Sequence, residues 1–199
     1  LTAANKVTLI RLGGVPVFVL ILEYYLISLH RGAPAPALRW LALGIFLILA
    51  ASDALDGYLA RSRQEITRLG KLLDPLADKI LSLAALLMLT RPSQPALTPQ
   101  IPVWFTTLVL SRDVFLLAGA ALIHGLAGRV EVRPSRTGKA ATAALGLAIV
   151  ATLAGAPQTG LNLGLAAIAF LIAVSAGQYL LAGIRQLEAV PGLLHHDPH

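Results

Sequence analysis

Long apolar runs make up almost the whole chain, and the polar stretches between them are too short to form a soluble domain. An α-helix needs about 20 apolar residues to cross the hydrocarbon of a bilayer. Inside that hydrocarbon every backbone polar group must be hydrogen-bonded within the protein, which favours helices or closed barrels. Of the 199 residues, 56% are hydrophobic and 13% are charged, which is unlike a water-soluble domain. We therefore predict an all-α integral membrane protein.

Glycine, proline and charged residues separate six predicted transmembrane helices. Their approximate bounds are 7–29, 37–60, 69–90, 101–127, 138–155 and 160–184. We predict a single membrane domain over residues 1–190 and a short, polar, disordered tail over 191–199. The first apolar run lacks a small-residue cleavage site, so we expect it to be a retained span that an initiator methionine once preceded.

Lysine and arginine are distributed unevenly between the two predicted sides of the membrane. Cytoplasmic loops of membrane proteins carry the excess of these residues. One side has Arg31, Arg39 and Arg91, whereas the other has Lys6, Arg11, Arg61, Arg63, Arg68, Lys71, Arg129, Arg133, Arg136, Lys139 and Arg185. Because six spans place both termini on the richer side, we predict that both termini are cytoplasmic.

Four aspartates lie near the predicted cytoplasmic ends of the second and third helices: Asp53, Asp56, Asp74 and Asp78. A charged side chain at membrane depth costs about 2.5–3.5 kcal/mol on insertion scales, so acids retained there usually serve a purpose. Spacings of three and four residues place each pair on one face of its helix. The short connection makes the two helices antiparallel neighbours, so that the carboxylates can converge. Hard divalent cations, Mg²⁺ or Mn²⁺, suit such a group of oxygen ligands.

The residues around these aspartates favour a substrate that bears phosphate. Gly57, Ala60 and Gly70 leave space for a ligand near the backbone, and Arg61 supplies a guanidinium that binds phosphate. Pro75 predicts a bend near the start of the third helix. Metals that clamp a diphosphate, with one carboxylate free to accept a proton, indicate phosphoryl chemistry. The alternative is that the aspartates form ion pairs at the helix ends with nearby arginines and lysines.

The segment from Asp53 to Asp78 resembles the full signature of the CDP-alcohol phosphotransferases. It reads Asp53-Ala-Leu-Asp56-Gly57-Tyr-Leu-Ala60-Arg61, then eight residues, Gly70, three residues, Asp74, three residues and Asp78. Every fixed position of the signature is present, and the family's six-helix plan is similar to the plan predicted here. A further pattern, Asn5-x-x-Thr8-x-x-Arg11, resembles the start of phosphatidylglycerophosphate synthases.

The resemblance implies a reaction and a role for each matching residue. Two metal ions, Mg²⁺ or Mn²⁺, would be held by Asp53, Asp56, Asp74 and Asp78. Asp78 would also be the catalytic base that deprotonates the acceptor hydroxyl for attack on the β-phosphorus of CDP-diacylglycerol, with CMP leaving. The CDP site would be lined by Asp56, Gly57, Ala60, Arg61 and Gly70. The resemblance also implies a homodimer. The distribution of lysine and arginine predicts that the active site faces the cytoplasm, and we expect the inner membrane of a bacterial cell and no nucleic-acid partner.

Arg112, Arg133 and Lys139 are candidate acceptor-binding residues. The basic segment 128–139 suits a phosphorylated acceptor such as glycerol 3-phosphate, although cytoplasmic loops are basic in any case. Arg112 and its neighbour Asp113 fall inside an apolar run and need internal partners or a wet cavity. Around them the sequence is similar both to phosphatidylglycerophosphate synthases and to cardiolipin synthases. We prefer glycerol 3-phosphate as acceptor, with phosphatidylglycerol or an inositol phosphate as alternatives.

An ion-coupled transporter is the alternative from a different class of membrane protein. Transporters usually place acidic residues near the bilayer midplane, on interrupted helices and often within repeats. In this chain the aspartates lie at one end of two helices, and we find no internal repeat. We interpret the histidines at the carboxyl terminus, His195, His196 and His199, as part of the tail and not as a metal site.

Overall fold

The structure is a computed structural model, and it describes the backbone of residues 3–63, 68–91, 97–127 and 135–188. Side chains are described for residues 13–52, 79–91, 97–119, 121–122, 125, 135 and 137–184. All regular secondary structure within these ranges is helical, as predicted.

Six α-helices follow one another within the described residues. They are α1 Ala3–His30, α2 Pro36–Arg63, α3 Arg68–Leu89, α4 Val103–Ala127, α5 Arg136–Ala154 and α6 Gln158–Glu188. The predicted number and order of helices are confirmed. Several helices extend beyond the predicted bounds, because hydropathy marks the apolar part of a helix whereas its backbone hydrogen bonds continue into the polar flanks. The chain stays helical through Pro75 in α3, and the predicted bend there remains a prediction.

In the part of the chain whose side chains are described, three helical stretches are long and apolar enough to cross a membrane: Gly13–His30, Thr137–Ala154 and Gln158–Ile184. The stretches Pro36–Ser52 and Lys79–Leu89 are apolar but shorter. Large apolar side chains on these helices point away from the protein, among them Leu147 and Phe170, each 70% exposed. Such surfaces are ordinary in contact with lipid and rare in contact with water. The predicted all-α membrane protein is confirmed, while the count of six spans and the cytoplasmic termini remain predictions.

The chain forms two compact units. One contains Leu1–Val103 and Gly146–Leu161, and the other contains Trp104–Leu145 and Asn162–His199. In the first unit α1 packs against α2 and α3, and α2 packs against α3. The single membrane domain expected from the sequence remains a prediction.

Close packing of α1 on α2 depends on one glycine and a row of apolar side chains. Phe18 and Leu22 of α1 are fully buried, and the Phe18 ring lies 5.8 Å from the Phe46 ring of α2, measured between centroids. A Cβ atom at Gly14 would lie only 2.6 Å from Leu49 Cδ2. Small residues let helices approach closely where lipid provides no hydrophobic drive between them. The pairing places α2, which carries two signature aspartates, firmly against α1.

Arg39, in the first turn of α2, binds the carboxyl end of α5 within the first unit. Its Nε donates to the Leu153 carbonyl at 2.8 Å, and its Nη2 donates to the Thr152 carbonyl at 2.7 Å. Gly155 follows α5 with a φ of 85°, the left-handed conformation that glycine adopts without steric cost. The last carbonyls of a helix lack intrahelical partners and carry partial negative charge. Arg39 therefore satisfies two of them and joins α5 to α2.

Arg39→Leu should lower the free energy of unfolding by about 1.5–3 kcal/mol, the range for hydrogen bonds that involve a charged group. The measurement is thermal unfolding of the detergent-purified protein, with Arg31→Leu as a matched control because the Arg31 side chain is exposed. Arg39→Lys should recover part of the lost stability, since lysine keeps the positive charge but lacks the planar guanidinium that donates to both carbonyls. Equal unfolding temperatures for Arg39→Leu and Arg31→Leu would contradict this role.

In the first unit, polar contacts join the second half of α1, the segment that follows α3 and the start of α6. Arg91, after α3, forms a two-pronged ion pair with Glu23 of α1, with nitrogen-to-oxygen distances of 2.9 and 2.7 Å. The Gln100 amide donates to Gln158 Oε1 at 2.8 Å, and Gln158 Nε2 donates to the Gln100 carbonyl at 2.9 Å. These contacts fix the end of α3 that is remote from its aspartates.

Candidate active site

The four signature aspartates lie on two helices that pack against each other. Asp53 and Asp56 are in α2, Asp74 and Asp78 are in α3, and residues 64–67 join the two helices. Because helical residues three or four apart share a face, the two positions of each pair lie on one face of their helix. The aspartate side chains lie outside the described residues, so the convergence of their carboxylates remains a prediction.

The predicted CDP-binding residues occupy the adjoining ends of the same helices. Gly57, Ala60 and Arg61 lie in the last turns of α2, and Gly70 lies in the first turn of α3. Their side-chain surroundings also fall outside the described part of the chain. Among the described side chains, no group of three or more acids or histidines could hold a metal ion. The candidate donor set remains the four aspartates predicted from the sequence, whose hard carboxylate oxygens are the ligands that Mg²⁺ and Mn²⁺ prefer.

Arg112, near the middle of α4, is mostly buried. Its side chain is 16% exposed, and Nη1 donates to Asp113 Oδ1 at 2.9 Å. Asp113 is therefore an internal partner of the kind predicted from the sequence. Its Nε is buried and has no hydrogen-bond partner within the described residues. A buried donor left unpaired costs about 1–3 kcal/mol, and a guanidinium carries five N–H donors. Arg112 therefore has hydrogen-bonding capacity beyond its contact with Asp113.

The first turn of α5 comes close to Arg112 at Gly138, which is buried. A Cβ atom at Gly138 would lie 3.3 Å from Arg112 Nη2, 3.0 Å from Ser175 Oγ and 3.1 Å from Ser135 Oγ. The free N–H groups at the start of a helix carry partial positive charge and bind anions. The Arg112 guanidinium lies beside this helix start, and although Asp113 offsets its charge, its remaining N–H donors suit an anion that accepts hydrogen bonds.

Ser135 caps α5 and connects it to α6. Its Oγ accepts a hydrogen bond from the Gly138 amide at 3.0 Å, which is the usual N-cap interaction. Its own amide donates to Tyr179 Oη at 3.2 Å, and its Oγ lies 3.1 Å from Ser175 Oγ. Sequence reasoning missed these residues. The available signals were a serine directly before a helix and two hydroxyl side chains four residues apart in an otherwise apolar span.

The three predicted acceptor-binding residues are described to different extents. Arg112 approaches the first turn of α5, and Lys139 lies in that turn with an exposed side chain. Arg133 belongs to residues 128–134, which are outside the described ranges. The structure thus brings Arg112 to the helix that carries Lys139, and the place of Arg133 remains a prediction.

Comparison with known proteins identifies the family. A family profile described as CDP-alcohol phosphatidyltransferase matches residues 1–178. The chain belongs to the CDP-alcohol phosphatidyltransferase family. The resemblance drawn from the aspartate signature is confirmed, and with it the prediction of an enzyme; an ion-coupled transporter is thereby set aside. The family is embedded in membranes and generally uses divalent metal ions.

Curated bacterial relatives include enzymes with two different acceptors. The chain is 35% identical over 152 residues to CDP-diacylglycerol–glycerol-3-phosphate 3-phosphatidyltransferase of Bacillus subtilis, covering 75% of both chains. It is 35% identical over 127 residues to cardiolipin synthase (CMP-forming) of Streptomyces coelicolor, covering 63% of this chain and 54% of that one. An Aquifex aeolicus enzyme with the same name as the Bacillus protein is 38% identical over 109 residues, covering 55% and 58%. The chain therefore spans three quarters of the first relative but little more than half of the other two.

Proposed function

We propose that this enzyme transfers the phosphatidyl group of CDP-diacylglycerol to glycerol 3-phosphate. The acceptor hydroxyl oxygen forms a bond to the β-phosphorus, and the bond from that phosphorus to the oxygen bridging the two phosphates breaks. CMP leaves with the bridging oxygen, and the product is phosphatidylglycerophosphate. The observation that supports the acceptor most directly is Arg112, whose buried Nε is unpaired within the described residues beside the start of α5.

Asp53, Asp56 and Asp74, together with Asp78, are proposed to hold two divalent ions, Mg²⁺ or Mn²⁺. When bound, such ions neutralise charge on the diphosphate and on departing CMP. The support is the pairing of α2 with α3, each of which contributes two of these residues. The alternative of simple ion pairs at the helix ends predicts no dependence of activity on these carboxylates.

The nucleotide is proposed to bind where the end of α2 meets the start of α3. Arg61 contributes a positive charge and planar donors for phosphate, while small residues leave room for the nucleotide. The proposed set is Asp56, Gly57, Ala60, Arg61 and Gly70. The two acyl chains remain in the bilayer, since both helices continue from this end into apolar sequence.

Asp78 is proposed to accept the proton of the acceptor hydroxyl. It follows Asp74 by four residues on α3, so both residues lie on one face of the helix. Held beside the reacting phosphate, this carboxylate would take the proton of the attacking hydroxyl as the hydroxyl oxygen forms its bond to phosphorus. No covalent intermediate with the enzyme is required.

The charge of the acceptor distinguishes glycerol 3-phosphate from phosphatidylglycerol. A phosphate monoester carries about −1.5 to −2 charges near neutral pH, whereas the diester of phosphatidylglycerol carries one. Arg112 and the start of α5 favour the more highly charged group, and Lys139 is in the same turn of α5. Phosphatidylglycerol is the second candidate, supported by the cardiolipin synthase relative.

Arg112→Gln should raise the KM for glycerol 3-phosphate about 10- to 100-fold, as expected for losing charge-assisted hydrogen bonds. The KM for CDP-diacylglycerol should change little. Arg112→Lys keeps the positive charge and should fall between the wild type and Arg112→Gln. Arg31→Gln is the control for loss of an exposed arginine. Equal increases in the KM for glycerol 3-phosphate and the KM for CDP-diacylglycerol would exclude Arg112 as an acceptor-binding residue.

The acceptor is tested by measuring CMP release from CDP-diacylglycerol by the detergent-purified protein with Mg²⁺ or Mn²⁺. Parallel reactions contain glycerol 3-phosphate, phosphatidylglycerol, an inositol phosphate or no acceptor. Stimulation by glycerol 3-phosphate alone is the expected result. Stimulation by phosphatidylglycerol instead would assign the cardiolipin synthase reaction and contradict the proposed acceptor.

The proposed enzyme works as a homodimer in the bacterial inner membrane, with its active site facing the cytoplasm. The excess of lysine and arginine on the predicted cytoplasmic side supports this orientation. Glycerol 3-phosphate is water-soluble and would reach the site from the cytoplasm, whereas the donor would enter from the bilayer. The homodimer is carried over from the resemblance to the family.

A further inference from the structure

One face of α6 binds the first turn of α5 through polar side chains. Gln178 and Tyr179 follow Ser175 by three and four residues, so all three lie on the same side of α6. Tyr179 Oη accepts from the Ser135 amide at 3.2 Å, and Gln178 Oε1 accepts from Thr137 Oγ1 at 2.7 Å. The third contact joins Ser175 Oγ to Ser135 Oγ at 3.1 Å. These bonds are additional to the N-cap bond that Ser135 makes at the start of α5.

Ser175 is the most enclosed member of this face, with none of its surface exposed. A buried hydroxyl in an apolar span is retained at a cost unless it has a hydrogen-bond partner, and here the partner is the cap residue Ser135. Ser175 Oγ and Arg112 Nη2 both approach Gly138, at 3.0 and 3.3 Å from the place of a Cβ atom. The α6 contact and the guanidinium therefore meet at the same residue of α5.

We propose that Ser175 and Tyr179 are positioning residues that fix the first turn of α5 relative to Arg112, so that both bind the acceptor's phosphate together. This inference rests on the proposed function, because it needs an acceptor that carries phosphate. Binding sites require their donors to be held within about 0.5 Å of the productive geometry. A serine cap by itself restrains only its own helix, whereas the bonds from α6 restrain the position of that helix start.

The inference predicts an effect on one substrate and not on the other. Ser175 and Tyr179 contact the start of α5, while the residues proposed to bind CDP and metal lie on α2 and α3. Loss of either hydroxyl should therefore raise the KM for the acceptor about three- to tenfold, the effect of losing one neutral hydrogen bond. The KM for CDP-diacylglycerol and kcat at saturating acceptor should stay within about twofold of wild type, because the hydroxyls bond to Ser135 and not to the residues proposed to bind the donor or the metal ions.

The experiment compares Ser175→Ala and Tyr179→Phe with Thr152→Val, each of which removes one hydroxyl. Thr152 is a suitable control because it is 1% exposed and its hydroxyl donates only within α5, to the Ala148 carbonyl at 2.7 Å. KM for each substrate, kcat and the unfolding temperature are measured for all four proteins. A rise in acceptor KM in both test variants, absent in Thr152→Val, is the expected result.

Several results would overturn the inference. They are an unchanged acceptor KM in Ser175→Ala and Tyr179→Phe, equal increases for both substrates, or the same increase in Thr152→Val. If Ser175→Ala does not fold, Tyr179→Phe decides alone, since it keeps the ring and removes only the hydroxyl. The proposed function is tested separately by the wild type. If phosphatidylglycerol stimulates CMP release in place of glycerol 3-phosphate, the acceptor assignment fails and the KM comparison is made with phosphatidylglycerol, by the same criteria.

Discussion

Asp78→Asn is expected to lower kcat by about 10²- to 10⁴-fold, the contribution of a general base, while the protein remains folded. Asparagine has nearly the same shape as aspartate but cannot accept the proton of the acceptor hydroxyl. The nucleotide should still bind, because the residues proposed to line the CDP site and three of the four proposed metal ligands are unchanged. CMP release measures the loss of turnover, and CDP binding to the purified variant measures retention of the site.

The control for Asp78→Asn is Glu23→Gln, which removes a carboxylate from the same unit but outside the aspartate signature. Glu23 pairs with Arg91 at 2.7 Å and is partly exposed, so the substitution should change stability slightly and kcat little. Turnover at the wild-type rate in Asp78→Asn would exclude Asp78 as the base. Loss of CDP binding in the same variant would mean that Asp78 acts mainly through the structure of the site.

Asp74→Ala is expected to raise the metal concentration for half-maximal activity by about 100-fold or more, since even outer partners of metal ligands contribute about 10- to 100-fold. The cause is the loss of one hard oxygen ligand from a group of four carboxylates. Asp53→Ala should act in the same direction, because it removes the corresponding ligand from α2. Binding of Mn²⁺, followed by electron paramagnetic resonance of the purified protein, provides a measurement independent of turnover.

Glu23→Gln again serves as the control, since it should leave Mn²⁺ affinity unchanged. Wild-type Mn²⁺ affinity in both Asp74→Ala and Asp53→Ala would contradict the ligand assignment. It would favour the alternative in which these aspartates pair with basic residues at the helix ends. Loss of affinity in only one variant would restrict the metal site to the helix that carries that residue.

The helices were predictable because the bilayer imposes a strong pattern on sequence. Apolar runs near 20 residues can satisfy their backbone only as helices, so all six helices were placed in order. Their ends were harder to predict: α2 continues through Arg63, and α6 continues to Glu188. These last turns are polar, and the local hydrogen bonds of a helix do not require apolar side chains.

The contacts between helices could not be predicted in the same way. The Ser135–Ser175 and Ser135–Tyr179 bonds join residues 40 and 44 positions apart, and Arg39 binds carbonyls 113 and 114 positions away. Helical periodicity states which residues share a face but not which helix that face meets. The pairing of α2 with α3 could be predicted, because the two helices are consecutive. That their aspartates converge on metal ions remains a prediction.

The central claim is that a phosphatidyl group passes from CDP-diacylglycerol to glycerol 3-phosphate with a divalent metal and Asp78. The most direct measurement is transfer of label from radioactive glycerol 3-phosphate into chloroform-soluble lipid by the purified enzyme, with Mg²⁺ or with a chelator. We predict labelled lipid in amounts equal to the CMP released, abolished by the chelator and by Asp78→Asn. CMP release without labelled lipid, or labelling that persists in the chelator or in Asp78→Asn, would contradict the account.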